Sequence, residues 1–154
     1  MEKAIQELID IHAIEQLMVR YAERIDAKDP EGAAACYTED GVGNYWGLYN
    51  GRKAIAARLA KILDRFASTS HHLSNTCIEF DGDQATAMSY VYAFHTMAGS
   101  RDTVHFWGRW VDRLKRTDEG WLLAEREVVT VGTQEENNAQ RNRAEPPGHP
   151  GRLK

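Results

Sequence analysis

The chain has 154 residues, 19 basic and 23 acidic, and a net charge of −4 with its histidines neutral. That balance excludes nucleic acid as a default partner, because phosphate binding calls for a basic face. No apolar run approaches the roughly 20 residues of a membrane span, and a single domain of this length buries roughly two thirds of the surface its unfolded chain exposes.

The first element in chain order is a long amphipathic helix. Ile5, Leu8, Ile9, Ile14, Leu17, Met18, Tyr21, Ala22 and Ile25 recur at three- and four-residue steps, with charged residues on the other face. It ends near Asp26. Asp29 then reads as an N-cap, with Pro30 at the first position of a short helix running to about Tyr37. Thr38-Glu39-Asp40-Gly41 stops that helix, and Val42 to Leu48 forms a short aromatic strand or loop carrying Tyr45 and Trp46. Asn50-Gly51 is a turn. A third helix carries Ile55, Leu59, Ile62, Leu63 and Phe66 as its apolar stripe.

After Ser68-Thr69-Ser70 the period becomes strand-like. Four strands are predicted: His71 to Phe80, Ala85 to Thr96, Val104 to Leu114 and Trp121 to Val131. Asp81-Gly82-Asp83, Gly99-Ser100-Arg101-Asp102 and Thr117-Asp118-Glu119-Gly120 turn one into the next, making an antiparallel meander. Gly108 inside the third of them marks a bend or a close approach. Helices segregated from an antiparallel sheet mean an α+β fold. Residues 1–133 form one domain, and the polar, proline- and glycine-bearing residues 134–154 form a flexible tail. Cys36 and Cys77 read as reduced core thiols. With no apolar leader at the start, the expected location is cytoplasmic.

Several residues could carry chemistry. Asp26 sits at a helix C-terminus, the negative end of the macrodipole, where a carboxylate is disfavoured and something else must explain it; a solvated turn residue is the plain alternative. His71 and His72 are neighbours on a strand, so only one can enter a cavity, and alternation alone does not say which. His71, Leu73, Asn75 and Cys77 share one face; His72, Ser74, Thr76 and Ile78 share the other. His95 shares a face with Val91, Ala93 and Met97. Tyr21, Tyr45, Trp46, His105 and Trp107 are candidate pocket residues, the tyrosines with a phenol to donate. No phosphate loop, nucleophile elbow, zinc-spaced cysteine pair or H-E-x-x-H occurs.

Taken together, Ala13-Ile14-Glu15-Gln16-Leu17 to Arg20-Tyr21-Ala22, Ile25-Asp26-Ala27-Lys28-Asp29, Tyr37-Thr38-Glu39-Asp40, Gly51-Arg52-Lys53-Ala54-Ile55, His71-His72-Leu73-Ser74-Asn75, Gly82-Asp83-Gln84-Ala85, Arg113 to Thr117 and Gly120-Trp121 resemble the SnoaL-like branch of the nuclear-transport-factor-2-like superfamily. The resemblance spans about residues 5–133. It implies a cystatin-like cone, a curved antiparallel sheet wrapped by three N-terminal helices around an apolar pocket. The nearest pattern is that of the scytalone dehydratase, bile acid dehydratase and hexachlorocyclohexane dehydrochlorinase group. These place an aspartate after the first helix and a histidine at the start of the first long strand. Asp26 matches the aspartate, and His71 matches the histidine better than His72. His95 falls near a second histidine of scytalone dehydratase, whereas Ile25 replaces a tyrosine of that enzyme.

The resemblance implies a cofactor-independent lyase, a dehydratase-type β-elimination on a small apolar substrate, with His71 as general base oriented by Asp26. An isomerase or cyclase using Asp26 as base is the alternative. A non-catalytic binding module or small subunit is another. Two histidines and an aspartate could also form a facial metal triad, but the matched branch implies no metal. A homodimer or homotrimer is implied.

Overall fold

The computed structural model describes residues 1–137. Helix α1 (Glu2–Asp26) is followed by α2 (Pro30–Ala34), strands β1 (Tyr37–Asn44) and β2 (Leu48–Asn50), and α3 (Arg52–Leu63). Four long strands come next: β3 (Phe66–Asp81), β4 (Gln84–Met97), β5 (Thr103–Thr117) and β6 (Gly120–Glu136). The six strands form one curved, unclosed sheet in the order β2-β1-β6-β5-β4-β3. The expected α+β cone is present, but the sheet is mixed, because β1 runs parallel to β6 while every other pair is antiparallel.

Local signals account for most boundaries. The Asp29 carboxylate caps α2 by accepting from Gly32 N at 2.8 Å, with Pro30 behind it. Gly82 and Gly120 adopt positive φ in the β3–β4 and β5–β6 turns, where an L side chain would be strained. Gly108 does permit a close approach: an added Cβ would lie 2.6 Å from the carbonyl oxygen of Val129, beside a register shift in the β5–β6 ladder.

Four expectations need correction. First, α2 stops at Ala34 rather than near Tyr37. The carbonyl of Cys36 accepts from Leu123 N at 2.9 Å, which draws the chain out of the helix and onto β6. Residues 38–41 therefore belong to β1, and two short strands stand where one was expected. Phe66, likewise, opens β3 instead of ending α3.

Second, the face alternation along β3 breaks at a bulge. Ser74 pairs with Tyr90 and Cys77 with Met88, so Asn75 and Thr76 together oppose Ser89 alone. Asn75 takes φ 51° to do so. The inner face thus carries His71 and Leu73, then Thr76, Ile78 and Phe80, and Cys77 is exposed rather than a core thiol. Third, Ile5, Leu8 and Ile9 belong to the apolar stripe of α1 by period but are exposed; its burial begins at Asp10.

Fourth, β6 continues to Glu136, its end pairing with Thr103, so residues 134–136 are strand and not tail. Most of the remaining tail expectation lies outside the described residues.

The core lies between α1, α3 and the concave face of the sheet. Ile14, Leu17, Met18 and Tyr21 of α1 meet Ile55 and Leu59 of α3 and Val91, Trp110, Leu114 and Leu123 of the sheet. Arg116 grips Asp10 through two hydrogen bonds of 2.7 and 2.6 Å, and Trp121 Nε1 donates to the same carboxylate at 3.0 Å. Helix α1 is thereby pinned to the β5–β6 hairpin, where Arg116 and Trp121 are cross-strand partners. No helix among the described residues is long and apolar enough to cross a membrane.

Candidate active site

The cone leaves an internal cavity of about 650 Å³. Its walls are mainly apolar: Ile25, Leu59, Leu63, Phe66, Val91 and Trp110 are typical. Polar groups line it in two sets, one of them Arg65, Asp102, Thr103 and the end of β6 from Thr133 to Glu136, and the other made of tyrosine, threonine and histidine side chains. Tyr21 comes from α1, Tyr45 from the β1–β2 turn, Thr69 and His71 from β3, and His95 from β4. An apolar hollow with a few convergent polar side chains is the usual form of a small-molecule site.

Asp26 ends α1 and meets the start of β3. Its Oδ1 lies 2.7 Å from His71 Nδ1 and accepts from Thr69 Oγ1 at 2.8 Å. Its Oδ2 accepts from the His71 backbone N–H at 2.9 Å. These three donors explain a carboxylate at an otherwise unfavourable helix terminus. Burial pushes the Asp26 carboxyl up, but the hydrogen bonds and charge of His71, with Thr69, hold it below its usual range. An ionised carboxylate only accepts, so Nδ1 of His71 carries a proton, and in the neutral form of the ring the lone pair is on Nε2. The His71 side chain is only 12% exposed.

His95 stands edge-on to His71, ring centroids 5.6 Å apart, and packs on Phe66. Its Nδ1 lies 3.2 Å from the carbonyl of Val104. A carbonyl can only accept, which places the proton on Nδ1 and leaves Nε2 as an acceptor. Burial, then the neighbouring His71, lowers its pKa to about 4. His95 is therefore neutral at physiological pH.

The structure brings Asp26, His71, His95, Tyr21 and Tyr45 together around the cavity. Trp46 borders it at the rim, 60% exposed, with its indole N–H donating to Thr130 Oγ1 at 3.2 Å. His105 and Trp107 do not belong to it. They alternate with the cavity residues Val104 and Phe106, so they fall on the outer face of β5. There they stack on each other, and His105 Nδ1 pairs with Tyr92 Oη at 2.8 Å. His72 is also outside, against Tyr92. Among the described residues, no group of three His, Cys, Asp or Glu side chains is placed to hold a metal ion.

Four residues near the site have no counterpart among the sequence-based candidates: Thr69, Tyr37, Asp112 and Arg126. Asp112 and Arg126 face each other across β5–β6, fully buried, with Arg126 Nε and Nη2 donating to the carboxylate at 2.7 and 2.6 Å. A signal for them does exist. Asp112 occupies the inward position between Trp110 and Leu114, where strand alternation calls for an apolar residue.

Comparisons with known proteins follow the same lines. Residues 6–127 match the SnoaL-like domain family. An uncharacterized protein of Mycobacterium tuberculosis is 34% identical over 129 residues, covering 80% of this chain and 86% of the relative. A solved structure of a candidate scytalone dehydratase from Novosphingobium aromaticivorans is 31% identical, with a TM-score of 0.80 over 98% of this chain and 99% of that one. Hexachlorocyclohexane dehydrochlorinase type 3 from Novosphingobium barchaimii shares the fold at a TM-score of 0.81 and 15% identity, over 93% and 99% of the two chains. The pinned helix, the curved mixed sheet and the match over most of its length make this chain a member of the SnoaL-like family, with the nuclear-transport-factor-2-like fold.

Proposed function

We propose that this protein is a cofactor-independent lyase that carries out β-elimination on a small apolar substrate, ring-containing or polyketide-like. The observation that carries the reading is the 2.7 Å contact between His71 Nδ1 and Asp26 on the wall of an apolar cavity. An imidazole with a free Nε2 lone pair, fixed in tautomer by a carboxylate, is equipped as a general base. In this mechanism His71 Nε2 takes a proton from the carbon next to a carbonyl. The C–H electron pair becomes the new double bond as the bond to the leaving oxygen breaks. The imidazolium, stabilised by Asp26, returns its proton to that oxygen, which departs as water; a halide departs as the anion, and the imidazolium then gives its proton to solvent. His95 Nε2 accepts a hydrogen bond from the substrate hydroxyl and so orients the leaving group. Positioned proton transfer of this kind contributes roughly 10²–10⁴-fold.

Asp26 fits the role of base for an isomerase or cyclase less well. It is not among the cavity-lining side chains, and both its oxygens already accept hydrogen bonds. The outer face of the sheet leaves Tyr90, Trp107, Val111 and Val131 exposed, which supports association into a homodimer or homotrimer. A panel of cyclic β-hydroxy ketones and halogenated rings tests the elimination, with unsaturated product measured for wild type and His71→Ala. Loss of turnover in the variant is expected. A His71→Ala protein that turns over a confirmed substrate at the wild-type rate overturns the reading.

A further inference from the structure

We propose that Trp46 is the gate of the cavity: its indole swings on a backbone that is held rigid, closes the rim through one hydrogen bond to Thr130, and sets how fast and how large a ligand enters. The inference rests on the cavity being a small-molecule site and does not need the elimination, so a ligand that cannot react tests it.

The gate stands where the sheet loses a strand. β1 pairs with β6 only as far as Asn44 opposite Glu127, whereas β6 runs on to Glu136 without β1 beside it. Val128 and Thr133, both in this stretch, line the cavity. Trp46 follows Asn44 by two positions, and its Nε1 donates to Thr130 Oγ1 at 3.2 Å. The indole thus reaches from the end of β1 to the part of β6 that β1 leaves uncovered.

The backbone beneath the ring is strained and clamped. Trp46 has a φ of 57°, in the left-handed region. Glycine or asparagine usually takes such a position, and a bulky residue persists there only where its surroundings enforce it. Here they do. Tyr45 N donates to Gly47 O at 3.0 Å, and Gly47 N donates to Asn44 Oδ1 at 3.3 Å. From α3, Arg58 Nη2 donates to Tyr45 O at 3.0 Å. The Tyr45 side chain is buried, its hydroxyl bonded to those of Tyr21 and Tyr37. A turn that only had to reverse the chain would carry glycine at 46, as it does at 47; an indole kept there against its preference points to a use for the ring.

The ring itself is loosely held. Tyr21, Tyr45, Phe66 and Trp110 are buried walls of the cavity, whereas the Trp46 indole lines it and is exposed. Its hydrogen bond joins two neutral groups in contact with solvent, so water replaces it at little cost when the ring turns away. Rotation of the side chain strands no buried polar group and leaves the clamped turn in place.

The test follows binding of 2-naphthol, a neutral fluorescent bicyclic ring, by stopped flow. Weakening the closed state raises the open fraction of empty and loaded protein alike, so association and dissociation accelerate by the same factor and Kd holds. Thr130→Val keeps the shape and removes the acceptor; it should raise both rates roughly two- to tenfold, the factor that corresponds to one exposed hydrogen bond. Trp46→Gly removes the ring and suits the backbone; it should raise both rates roughly tenfold or more without lowering Tm. The larger 1-pyrenol should gain more from Trp46→Gly than 2-naphthol does. A merely structural tryptophan would give faster dissociation alone, weaker binding and a lower Tm. The proposal is overturned if both variants keep wild-type rates, or if dissociation alone accelerates. It is equally overturned if neither wild type nor Trp46→Gly binds 2-naphthol saturably at millimolar concentration. None of these results bears on the dyad, which turnover in His71→Ala tests separately.

Discussion

His71 and Asp26, 45 residues apart in the chain, are joined twice: through the imidazole Nδ1 at 2.7 Å and through the His71 backbone N–H at 2.9 Å. The same carboxylate therefore fixes both the ring and the strand that carries it. Asp26→Asn keeps the shape but exchanges an anion for an amide, which no longer stabilises the imidazolium. The expected result is a fall in kcat/KM of roughly 10²–10⁴-fold with the fold intact by circular dichroism. Wild-type activity in Asp26→Asn would sink the dyad.

Thr69 donates to the same oxygen, Oδ1, that receives the His71 ring. Thr69→Val removes one of three donors to Asp26 and leaves the other two. Its effect on kcat/KM is expected to be small, roughly tenfold or less, the scale of about 1 kcal/mol for one hydrogen bond. Rescue by Thr69→Ser would tie the loss to the hydroxyl rather than to packing.

His95 has a pKa of about 4, set by burial and by His71. A proton that binds the unfolded chain near pH 6.5 but the folded one only near 4 favours unfolding in between. Stability contributed by neutral His95 is present above pH 6.5 and is lost as pH falls to about 4, by up to ~3 kcal/mol. Urea unfolding at a series of pH values should show the slope in wild type and a reduced one in His95→Phe. Nuclear magnetic resonance should find the His95 ring neutral at pH 5.5; a charged ring there contradicts the assignment.

Asp10 binds Arg116 with both oxygens and Trp121 with one, and these hydrogen bonds, the arginine's first, hold its pKa at about 2 against 3.8 in a free chain. Its contribution is complete above pH 3.8 and disappears as pH falls through about 2. At neutral pH, Asp10→Asn should cost about 2 kcal/mol. Thermal unfolding would register that as a drop of several degrees, and an unchanged Tm would show that α1 is anchored elsewhere.

Gly108 lies against β6 so closely that a Cβ would meet the Val129 carbonyl oxygen at 2.6 Å as well as the ring of Phe106. Backbone cannot retreat as a flexible side chain can. Gly108→Ala is expected to destabilise by about 1–3 kcal/mol, measurable by denaturant unfolding. Phe106 lines the cavity, so ligand binding should weaken in parallel.

Much of the fold was legible because its signals are local. The three-and-four spacing of Ile14, Leu17, Met18 and Tyr21 can only suit a helix, and the glycines at 82 and 120 can only suit tight turns. The pairing of β1 with β6 was not legible, because it joins segments about eighty residues apart and is the sheet's one parallel contact. Strict alternation misled at Cys77, where the bulge at Asn75 shifts every later residue of β3 to the opposite face. The aromatic character of His105 and Trp107 suggested a pocket, yet their neighbours Val104 and Phe106 hold the inward positions.

The amino-acid order alone determined which segments are helical or extended, where the chain turns, and that Asp26, His71 and His95 are residues able to move or hold a proton. Those properties depend on neighbours a few positions away. Only the tertiary structure decided that the carboxylate and the imidazole touch, that His95 is neutral, and that Tyr37 and a buried Arg126 stand behind the cavity wall. Each of these follows from the curvature and register of a sheet closing around a helix, which brings distant segments into contact and removes the water that would otherwise separate and screen their polar groups.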